Sequence, residues 1–232
     1  MEMQEYVVGF GSSNKSFCYL VEVELKELGD IRGANSSKFG LWYGTNGKDK
    51  RRQYRATKRA PFNGDVNHAF SEIKKALAKL IRETLQLQEF EDLESILNGM
   101  FKYKIMYLYN PKIMLPSFVL KDLQYFERKL EITESNSYEE AQKLLLHFKK
   151  SNYPDFSNHE FMLFLYKKFG KYHEAGIKEI NEKRDYELNK RIRDHRDPKD
   201  KYTTTVRERV GAKKLPKEYI IIQGIIKWHF ML

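Results

Sequence analysis

An α+β fold, a small N-terminal antiparallel sheet packed on a mostly helical C-terminal body, is what this 232-residue sequence predicts. Two patterns point to it. Up to residue 64, apolar residues alternate and turn residues cluster, as in short strands; from Asp65 onward apolar residues recur every three or four positions, as in helices. In addition, 41% hydrophobic and 14% aromatic residues supply enough apolar surface to build a core against chain entropy. The expected organisation is a β-rich basic and aromatic region (1–64), a helical body (65–170) and a charged helical extension with an apolar tail (171–232). Residues 1–170 read as one domain.

The first strand is read over Phe17–Leu25. Phe17, Tyr19, Val21, Val23 and Leu25 alternate with Cys18, Leu20, Glu22, Glu24 and Lys26, and Gly29-Asp30 ends the run. Turn residues fill Asp30–Lys38. Phe39–Tyr43 is the next strand and Arg51–Thr57 its return, joined through Asn46-Gly47. An Asn-Gly pair between strand-like runs is a strong hairpin signal because both residues tolerate positive φ.

Asp65 is placed to cap a helix whose apolar stripe is Val66, Phe70, Ile73, Leu77, Leu80 and Ile81. Further helical stretches are read at Phe90–Leu97 and Phe101–Tyr109, followed by a connection marked by Pro111 and Pro116. Ser117 is expected to cap a helix carrying Val119, Leu123, Phe126 and Leu130. Ser137 with Glu140, and Ser157 with Glu160, have the spacing of capping boxes. The helix after Ser157 is apolar nearly all round, which places it at the centre of a core, and Gly170 is its expected stop. Lys178–Arg196 reads as a solvated helix and Asp197–Lys214 as a linker.

The formal net charge is +10 and the pI near 9.4, which favours polyanionic partners through counterion release and steering. Cys18 is the only cysteine, so an internal disulfide and a thiolate zinc cage are excluded. The first residues carry Glu2 and Glu5 and no basic run, so a signal peptide is not expected. No apolar run reaches the roughly 18 residues of a membrane span; the apolar tail Tyr219–Leu232 is too short and interrupted. The expected compartment is the cytoplasm, with no membrane partner.

The candidate site lies between Arg32 and Arg59. Nine basic residues stand there against one acidic residue, Asp49, with aromatic residues interleaved. Arginine can grip phosphate in a fork or read guanine edges, and aromatic faces stack on bases. Arg32, Lys38, Lys50, Arg51, Arg52, Arg55, Lys58 and Arg59 are therefore the candidate DNA contacts. Trp42, Tyr43 and Tyr54 are the candidates for stacking. Adjacent in a strand, Trp42 and Tyr43 face opposite ways, so only one can be core. The competing reading is a solvated hairpin whose aromatics pack under the helices.

Enzymatic signatures are thin. Glu24-Leu25-Lys26, with Glu22 and an earlier acid such as Glu5, has part of a restriction-type metal site in which carboxylates hold magnesium and lysine positions water. Alternating charge on an exposed strand produces the same spacing. The histidines, His68, His147, His159, His173, His195 and His229, lack metal-ligand spacing, and phosphate-loop, dinucleotide and nucleophile-elbow motifs are missing. Gly9-Phe10-Gly11-Ser12-Ser13 reads as a turn.

A succession of phrases carries a family resemblance. Phe17-Cys18-Tyr19-Leu20 leads to Leu28-Gly29-Asp30-Ile31-Arg32-Gly33 and Ser37-Lys38-Phe39-Gly40-Leu41-Trp42-Tyr43; Tyr54-Arg55-Ala56-Thr57-Lys58 follows. Later come Met100-Phe101-Lys102-Tyr103-Lys104-Ile105 and Ser157-Asn158-His159-Glu160-Phe161-Met162. In this order, over roughly residues 15 to 170, they resemble the N-terminal specificity region of McrB-like restriction proteins and related HNH-nuclease fusions. The resemblance implies a module that recognises DNA, often modified DNA, and delivers a motor or nuclease subunit to it. GTP-binding motor motifs are absent. Thr203–Gly211 looks like the lead-in of an HNH nuclease, but the His-Asn-His set does not follow, so no catalytic residue is carried over. The expected function is DNA recognition in restriction or phage defence without a cofactor. The alternative is a metal-dependent DNA endonuclease, restriction-type or degenerate HNH, that would need Mg2+. A third reading is a protein-interaction scaffold whose charge serves solubility.

Overall fold

The computed structural model describes residues 1–11, 15–32, 36–47, 49–58, 65–170 and 172. Near the N-terminus, β1 (Leu41–Asn46) and β2 (Asp49–Ala56) form a two-stranded antiparallel ribbon; helices make up most of the rest, giving the α+β architecture. Met1–Tyr172 cluster as one unit. The readings at Lys178–Arg196, Asp197–Lys214, Thr203–Gly211 and the apolar tail fall outside the described residues.

Local signals set most of the helices. Asp65 accepts hydrogen bonds from the backbone N–H groups of Asn67 (2.9 Å) and His68 (3.0 Å), satisfying two orphan donors at the start of α3 (Val66–Gln86). The apolar stripe of α3 buries Phe70, Ile73, Leu77, Leu80 and Ile81, while Val66 stays half-buried. Asn110, just past α4 (Gly99–Tyr109), donates its side-chain amide to the carbonyls of Thr84 and Leu87 and so closes the far end of α3. At α7 (Asn158–Phe169) the capping box is complete: Ser157 Oγ accepts from Glu160 N at 3.1 Å and Glu160 accepts from Ser157 N at 2.8 Å. At α6 (Tyr138–Asn152) only half the box forms, because Glu140 reaches Asn136 N instead of Ser137 N.

Four expectations are corrected. Phe17–Leu25 is not a strand: Phe17–Tyr19 is a helical turn, α2, continued by a π-helical turn over Leu20–Glu24, where Leu25 N donates to Leu20 O at 3.0 Å. The residues it buries are Cys18, Val21 and Leu25, spaced three and four apart, so packing selected a helical period over the strand-like alternation. Phe90–Leu97 is not a helix. It crosses the body without regular structure, anchored by buried Phe90 beside Tyr103 and Tyr138, and by Lys102, which pairs with Asp92 and donates to Leu93 O at 2.9 Å. Ser117 does not cap α5 (Leu120–Lys129), whose N-cap is Val119; its hydroxyl is buried, accepting from Tyr166, and its carbonyl accepts from Tyr138. Finally, α7 buries Phe161, Met162 and Leu165 but exposes Leu163, so it lies at the margin of the core.

Ribbon and body share one core. Tyr6 in α1 (Met3–Tyr6) donates its hydroxyl to Phe39 O at 2.6 Å, and its ring lies 6.0 Å from that of Phe70 on α3. Phe39 meets Phe101 of α4 edge-on at 5.0 Å, and Leu41 is fully buried. No helix among the described residues is long and apolar enough to cross a membrane.

Candidate nucleic-acid interface

The pairing register decides what each face of the ribbon carries. Leu41 stands opposite Ala56, Trp42 opposite Arg55, Tyr43 opposite Tyr54 and Gly44 opposite Gln53; Asn46-Gly47 forms the tip, with Gly47 at φ +46°. Side chains alternate along each strand, although a register shift between Gly44 and Asn46 interrupts the ladder opposite Lys50–Arg52. One face therefore holds Asp49, Arg51, Gln53, Arg55 and Trp42. The other holds Lys50, Arg52, Tyr54 and Tyr43.

On the first face the charges are turned inward on one another. The Asp49 carboxylate accepts from Arg51 (Nε, 3.1 Å), Gln53 (Nε2, 3.0 Å) and Arg55 (Nη2, 3.0 Å). Hydrogen bonds from Arg51, then Arg55, hold it well below the usual carboxylate range. Arg55 also donates to Gly44 O across the ribbon at 2.9 Å and to Arg51 O at 3.0 Å, and its side chain is only 12% exposed. It is a brace. Arg51 is 84% exposed, so its pairing with Asp49 is worth little and competes poorly with phosphate.

The second face is cationic and aromatic. Among the described residues no carboxylate pairs with Lys50 or Arg52, and both are exposed. The Tyr43 and Tyr54 rings meet edge-on at 5.2 Å. A third ring joins them: Phe10 stacks on Tyr54 at 5.6 Å and 17°, and meets Tyr43 at 5.0 Å and 85°. Arg52 places its guanidinium 5.6 Å from the Tyr43 centroid and donates to Gly9 O at 2.6 Å. Tyr43 N donates to Val8 O at 3.2 Å, so the N-terminal segment runs along the free edge of β1. Gly9 makes this approach possible: at φ +97° a Cβ there would lie 2.3 Å from Tyr43 O.

The remaining candidates scatter. Lys38 is buried, its side chain 3% exposed, and it pairs with Glu22, so it cannot present charge to a phosphate and leaves the candidate set. Burial of a lysine requires such a partner, and the turn over Leu20–Glu24 supplies it. Arg32 forks onto Asp30 of its own turn (2.9 and 2.8 Å) yet stays exposed. Lys58 is exposed just past β2; Arg59 lies outside the described residues. Trp42 is half-buried on the face away from Tyr43 and Tyr54. Phe10 is the site residue that sequence reasoning misses. Its one signal is a lone large aromatic between two glycines, a place where a turn needs none.

The restriction-type arrangement loses its premise. In helical geometry Glu22 and Glu24 no longer share a face; Glu22 is engaged with Lys38, and Glu5 accepts from Glu2 N at 2.6 Å in the first turn of the chain. Among the described residues no group of three or more His, Cys, Asp or Glu side chains is placed to hold a metal ion. Compared with protein-family models, curated proteins and solved structures, the chain gives no match.

Proposed function

We propose that the protein is a DNA-recognition protein that binds through the ribbon, and that it acts as the specificity component of a restriction or phage-defence system, delivering a separate motor or nuclease subunit. The observation that carries the reading is the separation of charge between the two ribbon faces. Residues 49–58 hold Lys50, Arg51, Arg52, Arg55 and Lys58 against Asp49 alone, and that single carboxylate is committed to the bracing face. Arg52 is left unopposed by any described carboxylate beside the Tyr43 ring, with Lys50, Arg51 and Lys58 exposed nearby. Such a surface suits a phosphate backbone, since each neutralised phosphate releases condensed counterions. The specificity role, with modified DNA as its target, rests on the resemblance over residues 15 to 170.

The test is the salt dependence of DNA binding with Lys50, Arg51 and Arg52 replaced together by alanine. Removing one cation from the phosphate backbone should flatten the log–log slope by about 0.9, and removing all three by about 2.7. An unchanged slope in a folded variant moves the interface off the ribbon. Duplexes with and without a methylated base, titrated side by side, test the modification preference.

A further inference from the structure

We infer that the cationic face of the ribbon is built for unpaired bases, with Phe10 as the stacking surface for a single-stranded polynucleotide whose phosphates pass Lys50 and Arg52. The inference rests on the nucleic-acid reading above and names the class of ligand. Phe10 is the outermost ring of a three-ring cluster. Tyr54 covers one of its faces and Tyr43 meets it edge-on, yet 37% of the residue stays exposed. A phenylalanine kept in solvent at the end of a stack is positioned to add one more ring to that stack.

The support beneath it is rigid. Tyr43 and Tyr54 are a cross-strand pair, and Arg52 lies over Tyr43 while its bond to Gly9 O holds the residue just before Phe10. Of the cations needed for the backbone of such a ligand, Arg52 touches the cluster and Lys50 is exposed two residues before it on the same strand. In a duplex, base faces are covered by neighbouring pairs and only edges show in the grooves; in a single strand the faces are open. A ring that stacks on a base thus selects unpaired bases, and with little regard to sequence, because every base has a π-face.

Fluorescence anisotropy with labelled deoxyuridine and uridine oligomers of about 15 nucleotides, and a duplex of equal length, tests this on the full chain. The single strand should bind more tightly than the duplex, and the better of the two oligomers identifies the sugar. Phe10→Ala should weaken single-strand binding by between about fivefold and about a hundredfold while changing duplex binding by less than about twofold; Phe10→Trp should restore it. Circular dichroism checks that the variants fold. The inference is overturned if Phe10→Ala changes neither titration, if it weakens both equally, or if Phe10→Leu binds like the native protein. Duplex binding without single-strand binding overturns it while leaving the DNA reading intact. Salt-dependent binding of neither overturns both.

Discussion

Lys104 sits in the middle of α4 with its whole side chain buried (0% exposed), and its ammonium donates to the carbonyls of Leu25 at 2.6 Å and Gly29 at 2.7 Å. Those carbonyls belong to the turn that the alternation of Phe17–Leu25 misrepresents as the end of a strand. The chain there is tight: Gly29 has φ +104°, and a Cβ would lie 2.4 Å from the Phe118 ring. A lone lysine in a helical pattern gives no sign of such a role, because its two acceptors lie 79 and 75 residues away. Burial pulls the Lys104 ammonium down to about 7, with Asp30 acting in the opposite direction. The unfolded group titrates near 10.4. Between these values the unfolded chain holds more protons, so stability rises with pH by at most about 1.4 kcal/mol per unit, and below pH 7 the contribution is flat. The buried Cys18 thiol and Tyr6 phenol, both raised by burial, act the other way once pH passes about 8.5 and about 10. Urea unfolding should therefore show the protein gaining up to about 2 kcal/mol between about pH 7 and about pH 8.5. Lys104→Met should remove that gain. An identical pH profile in the variant would mean that Lys104 does not titrate in this window.

Elements whose ends carry their own chemistry were legible. Asp65, Ser157 and, in part, Ser137 act within one turn of where they stand, and the Asn-Gly tip sets its ribbon from inside four residues. Segments without such punctuation followed tertiary packing instead. Phe90 and Leu97 bury as anchors of an irregular crossing, and Val21 and Val23, good strand formers, sit in a π-helical turn. The ribbon itself makes a sharp prediction about two arginines that look alike in sequence. Arg55→Ala removes bonds to Asp49, Gly44 and Arg51 from a nearly enclosed side chain and should cost about 1–3 kcal/mol in urea unfolding. Arg51→Ala, at the exposed site, should stay within about 0.5 kcal/mol of the native protein. Equal losses would contradict the reading of Arg55 as the brace of its face and of Arg51 as an exposed partner of the same carboxylate.

At the scale of the molecule, the helices are joined to the proline-marked segment between α4 and α5 by side chains that stand in for backbone. Gln142, fully buried on α6, accepts from Leu115 N at 2.8 Å and donates to Leu115 O at 3.1 Å, as a neighbouring strand would. Its amide also donates to the Tyr138 hydroxyl at 2.9 Å, and that hydroxyl donates to Ser117 O at 2.8 Å. Gln142→Leu would strand the backbone N–H of Leu115, whose carbonyl keeps a bond from Ser117 N at 2.9 Å, and should cost about 1–3 kcal/mol, read as a lowered urea midpoint with unchanged slope. A near-native midpoint would show that solvent replaces the amide. The candidate site was legible to the same partial degree. The hairpin and its charge excess are local and were visible; that Lys38 turns inward to Glu22, and that Phe10 joins Tyr43 and Tyr54, depends on pairings far apart in the chain.

The division of the ribbon also bears on how readily its preferences can change. The interactions that keep its shape converge on Asp49 and Arg55, whereas Lys50 and Arg52 project from the opposite side, Arg52 keeping one tie to Gly9. Exposed positions outside such anchors tolerate exchange at small cost. Position 50 in particular can be exchanged without unfolding the strand that displays it, so under the proposed DNA-binding role a ribbon of this design would take a new target while its scaffold stays constant.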